Sequence, residues 1–121
     1  MYYKIVKGDT VMIEHAVLYK NPFLKAKGLM FSKPLKKGHA LIMESLVESI
    51  VGNAIHMFFV FFPIDVVWLD ANRNVVDKVF MVKPFTCYLK PKKPAKYTIE
   101  LPVGVSKKVK IGDKLDFVVS G

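Results

Sequence analysis

Three side chains are candidates for acid–base chemistry: His56, Asp65 and Glu100. Asp65 follows Pro63-Ile64 at the start of a strand-like run, with Val67 and Leu69 on its own face. A carboxylate there is either a general base or ligand anchor with a raised pKa, or a structural group bonded to backbone N–H groups or a Lys. An unpaired buried charge is so costly that the structural role is the weightier expectation. Glu100 shares the polar face of its strand with Thr98. Paired with Asp65 it would make a two-carboxylate site for acid–base work, but nothing in the spacing brings the two together. A solvated strand-face Glu is the default. His56, inside the most apolar stretch, is the best placed group to titrate near neutral pH.

The remaining reactive side chains give weaker patterns. His15, His39 and His56 show no H-x-H or H-x-x-x-H spacing, so no metal site is expected. His15 lies on an apolar face and reads as a hydrogen-bonded core histidine. Cys87 is the single cysteine, which excludes an internal disulfide and a Cys-based zinc cage. A Cys87–His56 dyad lacks any local signature, and a packed, inert thiol is the expectation. Phosphate-binding glycine loops and the G-x-S-x-G elbow are absent. The pattern thus calls for no cofactor.

These residues must be positioned by the elements around them. The stretch IHMFFVFFPIDVVWL, residues 55–69, reads as core; its 15 residues fall short of the ~20 needed to span a bilayer. Two alternating N-terminal segments meet at Gly8-Asp9, with Val11, Ile13, His15, Val17 and Tyr19 on one face of the second. Asn21-Pro22 opens a short helix that packs Phe23, Leu24 and Ala26 and ends at Gly28. Residues 40–43 read as a short buried strand, and 44–54 carry apolar residues at helical spacing. Ile64–Leu69 and Val75–Val82 flank a hairpin loop at Asp70–Asn74. Three prolines make 84–95 a stiff extended loop. Tyr97–Leu101 is a half-buried strand, Pro102–Lys108 a loop or single helical turn, and the last strand faces Leu115, Phe117 and Val119 inward. The prediction is a mainly β chain: one domain over 1–121, an antiparallel β-sandwich or small barrel with one or two short helices.

Apolar residues make up 52% of the chain, too many for disorder, and the net charge is +9. Eighteen Lys stand against the single Arg73. Lys is a solvated point charge, whereas Arg is the residue that reads phosphates and base edges bidentately. The charge therefore implies solubility or loose polyanion attraction. Lys33, Lys36 and Lys37, with Lys90, Lys92 and Lys93, are the candidates for weak, sequence-independent nucleic-acid contact. The first residues carry no apolar signal-peptide core, so a cytoplasmic chain with no membrane span is expected.

Three pieces in order carry a resemblance. They are Gly28-Leu29-Met30-Phe31; Met57 with Pro63-Ile64-Asp65-Val66 and Asp70; and Tyr97-Thr98-Ile99-Glu100-Leu101 with Gly104 and Ile111-Gly112-Asp113. Together they resemble the domain of unknown function 192 family, small bacterial and archaeal proteins, over Lys27 to Phe117. The resemblance implies a compact β-sandwich-like fold and supplies no established activity. Ile55-His56 stands here where members of that family carry an aromatic pair. The favoured functional expectation is a non-enzymatic binding module for an unknown small ligand or protein, with its site at Gly28, Met30, His56, Met57, Asp65 and Glu100. Polyanion binding is the alternative, and an enzyme using Asp65, Glu100 or His56 is the third.

Overall fold

A computed structural model describes residues 2–120. Gly8, at φ 60°, makes the turn between β1 (Tyr2–Lys7) and β2 (Thr10–Tyr19), which pair antiparallel. Helix α1 (Pro22–Lys27) starts as the sequence dictates: the Asn21 side chain accepts hydrogen bonds from Phe23 N at 2.8 Å and Leu24 N at 3.4 Å. Gly28, at φ 49°, ends it. The helix does not pack its apolar residues as expected. None is buried, and Phe23 is 85% exposed. Strand β3 runs over His39–Ser49, absorbing most of the segment with helical spacing, and a 3-10 turn follows at Val51–Asn53. Then come β4 (Ile64–Leu69), β5 (Val75–Val82), β6 (Ala95–Leu101), a 3-10 turn at Val105–Lys108 and β7 (Asp116–Val119).

The seven strands form one sheet in the order β5-β4-β6-β3-β2-β1-β7. Every pair is antiparallel except β2–β3, which is parallel, His15 opposite His39. A parallel pair needs a crossover of a dozen or more residues, and residues 20–38, with α1, supply it. The sheet does not close into a barrel, but its ends are tied. Val75 N donates to Asp113 O at 2.8 Å, and Leu115 N to Arg73 O at 3.0 Å, so the chain entering β7 meets the start of β5.

Each face carries its own core. Ile5, Ile13, Ile42, Val67, Ile99 and Leu101 cluster on one side. Leu41, Met43, Ile64, Val66 and Trp68 lie on the other, covered by Ile55, Met57, Val60 and Phe62 from the central apolar stretch. That stretch is sealed from Ile64 to Leu69 but only partly buried before it: Phe58, Phe59 and Phe61 are exposed. Strand β6 is buried on both faces from Tyr97 onward, not half-buried. The expected face of β2 breaks at a bulge. Ile13 pairs with Ile5 and Ala16 with Tyr3, so three residues on β2 span two on β1. The parity flips there, and His15 turns out to solvent instead of into the core.

Candidate functional site

A cavity of about 270 Å³ opens between α1, β3, β6 and the turn after β3. Its walls are Lys25 and Gly28 at the end of α1, Met43 and Ser45 on β3, Asn53 to His56, and Thr98 with Glu100 on β6. Asn53 holds the polar wall in place. Its amide nitrogen donates to Ser49 O at 3.2 Å and to Ala95 O, and its Oδ1 accepts from Thr98 Oγ1 at 3.0 Å. The Asn53 carbonyl accepts from Trp68 Nε1 at 2.8 Å, which couples the wall to the buried indole. Lys25 Nζ donates to Glu44 O at 2.9 Å, and Lys20 and Lys96 reach the Glu44 carboxylate at 3.9 and 3.7 Å.

Glu100 is 4% exposed, contrary to the solvated default. The cause is that α1 and the turn after β3 cover the face that β6 would otherwise show to water. Its cross-strand neighbours are Leu41 and Val66. Among the described residues its Oε1 has no hydrogen-bond partner. Burial pushes the carboxyl up from 4.5 to about 7, because an apolar setting disfavours the charged form. A Cβ built on Gly28 would lie 3.5 Å from that oxygen, so the helix cap closes over the carboxyl with little to spare.

Asp65 has the opposite surroundings. It is fully buried, and both oxygens are used: Oδ1 accepts from Met81 N at 2.8 Å, and Oδ2 from Gly104 N at 2.8 Å, Ser106 N at 2.9 Å and Ser106 Oγ at 2.6 Å. It pairs in register with Leu101, whereas Glu100 pairs with Val66. Neighbouring β6 residues point to opposite faces, so Asp65 and Glu100 lie on opposite sides of the sheet and make no carboxylate pair.

The six expected ligand residues are thus divided. Gly28, His56 and Glu100 line the cavity. His56 is half-buried, and its Nδ1 accepts from Phe58 N at 3.2 Å, which leaves the neutral ring's proton on Nε2. Met30 is half-buried outside the lining; Met57 is sealed in the core, with its carbonyl accepting from Phe85 N at 2.9 Å. Asp65 is remote on the other face. Lys25, Ser45 and Asn53 also line the cavity with no signal in the sequence to mark them, whereas Thr98 is marked only as the neighbour of Glu100 on its strand face. Cys87 is exposed, not packed, since the chain from Thr86 to Leu89 lies along Ile55–Met57 through backbone bonds and leaves this side chain outside. The histidines are less scattered than their spacing implies: His15 and His39 lie with ring centroids 5.1 Å apart and planes tilted by 35°. Among the described residues no three of His, Cys, Asp and Glu gather. No described helix is long and apolar enough to cross a membrane. Lys33, Lys36, Lys37, Lys90, Lys92 and Lys93 are all exposed.

The DUF192 family model, described as an uncharacterized ACR, matches residues 4–117. The chain belongs to that family. A UPF0127 protein of Pyrococcus abyssi is 41% identical over 94% of this chain and 96% of that one. A UPF0127 protein of Pyrococcus horikoshii is 41% identical over 84% of this chain and 87% of that one. A crystal structure of a protein of unknown function from Novosphingobium aromaticivorans superposes with a TM-score of 0.84 over 96% of this chain and 84% of that one. At 19% identity it shares the fold alone. The family match and the shared fold bring no reaction to the Glu100 cavity.

Proposed function

We propose that this DUF192 chain is a non-enzymatic binding module whose cavity takes a small molecule that offers a hydrogen-bond donor to Glu100. One observation carries the reading: a buried carboxyl oxygen at the cavity has no partner in the protein. A buried acceptor left unmade costs about 1–3 kcal/mol, and a ligand N–H would recover it. The fixed Asn53–Thr98 wall supports a pocket formed in advance of binding. A basic amine or amidine is the best match, because the ionised carboxylate accepts from it and their charges attract. Affinity for such a ligand rises as pH climbs through about 7, where Glu100 ionises, and levels off above. Cytoplasmic residence belongs to this proposal.

Methylammonium, guanidinium and acetamide are the probes, each titrated while Trp68 fluorescence is followed through its bond to Asn53. A saturable change that Glu100→Leu abolishes, in a variant that still melts cooperatively, is the expected result. A parent that responds to none of the three, or a variant that responds equally, would overturn the reading. Weak polyanion binding remains a second reading on one observation. Lys20, Lys25 and Lys96 converge on the single Glu44, which sets Lys96 of β6 beside the lysines at α1. Filter binding of an oligonucleotide at low salt tests it, and a flat signal to tens of micromolar protein would retire it.

A further inference from the structure

Four exposed aromatic rings meet on the side of the sheet covered by residues 55–62. Phe31 stacks on Phe59 with centroids 4.8 Å apart; Phe85 meets Phe59 edge-on at 6.2 Å and Phe61 at 5.2 Å. Phe31 is 68% and Phe61 62% exposed. Phe31, Phe59 and Phe85 all hold left-handed backbone, at φ 60°, 58° and 61°. Non-glycine residues avoid that region, and such strain concentrates where chains are held for function. Main-chain bonds fix it: Phe31 N donates to Phe59 O at 2.8 Å, and Phe85 N to Met57 O at 2.9 Å.

The charge around the rings is of one sign. The three segments that build the cluster, 27–38, 55–63 and 80–93, contain no Asp or Glu. Lys33 lies two residues after Phe31, and Lys83 two residues before Phe85, both exposed. The carboxylates bonded to or touching these segments, Asp65 at Met81 N, Asp77 at Lys92 N and Glu100 beneath Gly28, are buried. We propose that this aromatic face docks on an anionic lipid bilayer, the rings entering the interface and the lysines meeting the headgroups. Phe is among the apolar side chains that surface-bound segments bury at the headgroup boundary, with Lys on their polar side. Nucleic acid is the poorer fit. Base stacking needs free ring faces, and these rings turn faces and edges on one another.

The test is co-sedimentation of the full chain with vesicles of neutral phosphatidylcholine, with or without 30 mol% phosphatidylserine. Phe31→Asn with Phe61→Ser removes two rings outside the core, and Asn tolerates the left-handed backbone. Saturable binding to anionic vesicles is expected, with at least tenfold loss in the double Phe variant, as apolar insertion sets affinity. Lys33→Ala with Lys83→Ala should cost roughly twenty-five-fold, at about fivefold per Lys. Urea melts of both variants confirm the fold. No sedimentation at millimolar lipid would overturn the proposal. So would Phe variants that bind as the parent does, an oligonucleotide that outcompetes vesicles of equal phosphate, or a dimer that the Phe variant splits without any vesicle binding by the parent.

Discussion

Changing Glu100 to Gln should flatten a pH dependence that the parent carries. Gln copies the protonated carboxyl in size and cannot ionise. In the unfolded chain Glu100 titrates near 4.5; in the fold it titrates near 7. Between those values the folded state holds the proton more tightly, so folded stability falls as pH rises through the window and is level above it. At about 1.4 kcal/mol for each tenfold difference in proton affinity, the loss is on the order of 3 kcal/mol. A domain holds only about 5–15 kcal/mol in total. Urea melts of parent and variant between pH 4 and 8 read the effect directly. The two should coincide near pH 4.5 and separate by roughly 3 kcal/mol at pH 8, with the parent the less stable. Taking the difference cancels other groups that titrate there. Asp113, held below its usual range by the backbone N–H of Lys110, burial opposing and Lys7 assisting, acts only at lower pH. A pH-independent difference would refute the orphaned carboxyl, and a parent that gains on the variant as pH rises would show that the carboxylate has a partner.

Asp65→Asn should destabilise by about 3 kcal/mol in the same melts, because an amide NH₂ would face N–H and O–H donors that now share a carboxylate. Gly28→Ala should cost roughly 1 kcal/mol through its φ of 49°, and should weaken any cavity ligand by narrowing the space above Glu100. Asn53→Ala removes the partner of Thr98 and the amide bonds to Ser49 and Ala95; a loss of about 2–3 kcal/mol and a red-shifted Trp68 emission are expected. Cys87 should react in the native protein with a thiol reagent at the rate of an exposed cysteine; protection until unfolding would contradict its placement.

Local signals in the sequence carried far. Asn21-Pro22 and Gly28 bracket α1 because capping and φ preferences act within a few residues. The β4–β5 hairpin follows from Asp70, whose Oδ1 accepts from Asn72 N and Asn74 N at 2.9 Å. Asp65 read as a structural carboxylate because the cost of burial holds in any fold. What failed depends on distant chain. A bulge against β1 reverses the face of His15. Phe23 looked like helix packing, yet no element covers α1 from outside. Period-two alternation marked Thr98 and Glu100 as a wet face, because the helix cap and turn that roof them lie over 40 residues upstream. The parallel β2–β3 pair was also hidden, since its crossover holds only a six-residue helix.

Two buried carboxylates differ in what surrounds them. Asp65 and Glu100 lie on adjacent strands, and both are withdrawn from water. Asp65 gathers four donors from two segments, so its charge is part of what holds β4 to the β5 end and to the turn after β6. Its energy is already satisfied, and a ligand could add nothing. Glu100 has the same chemistry without the donors. Its burial opposes folding at neutral pH, and replacing it with Leu should raise stability by about 1–3 kcal/mol. A residue whose removal stabilises the protein is not explained by the fold it sits in. That gap is the ground on which we propose Glu100, and not Asp65, as the binding group. A Glu100→Leu protein that melts no later than its parent at pH 8 would close the gap and return Glu100 to the structure.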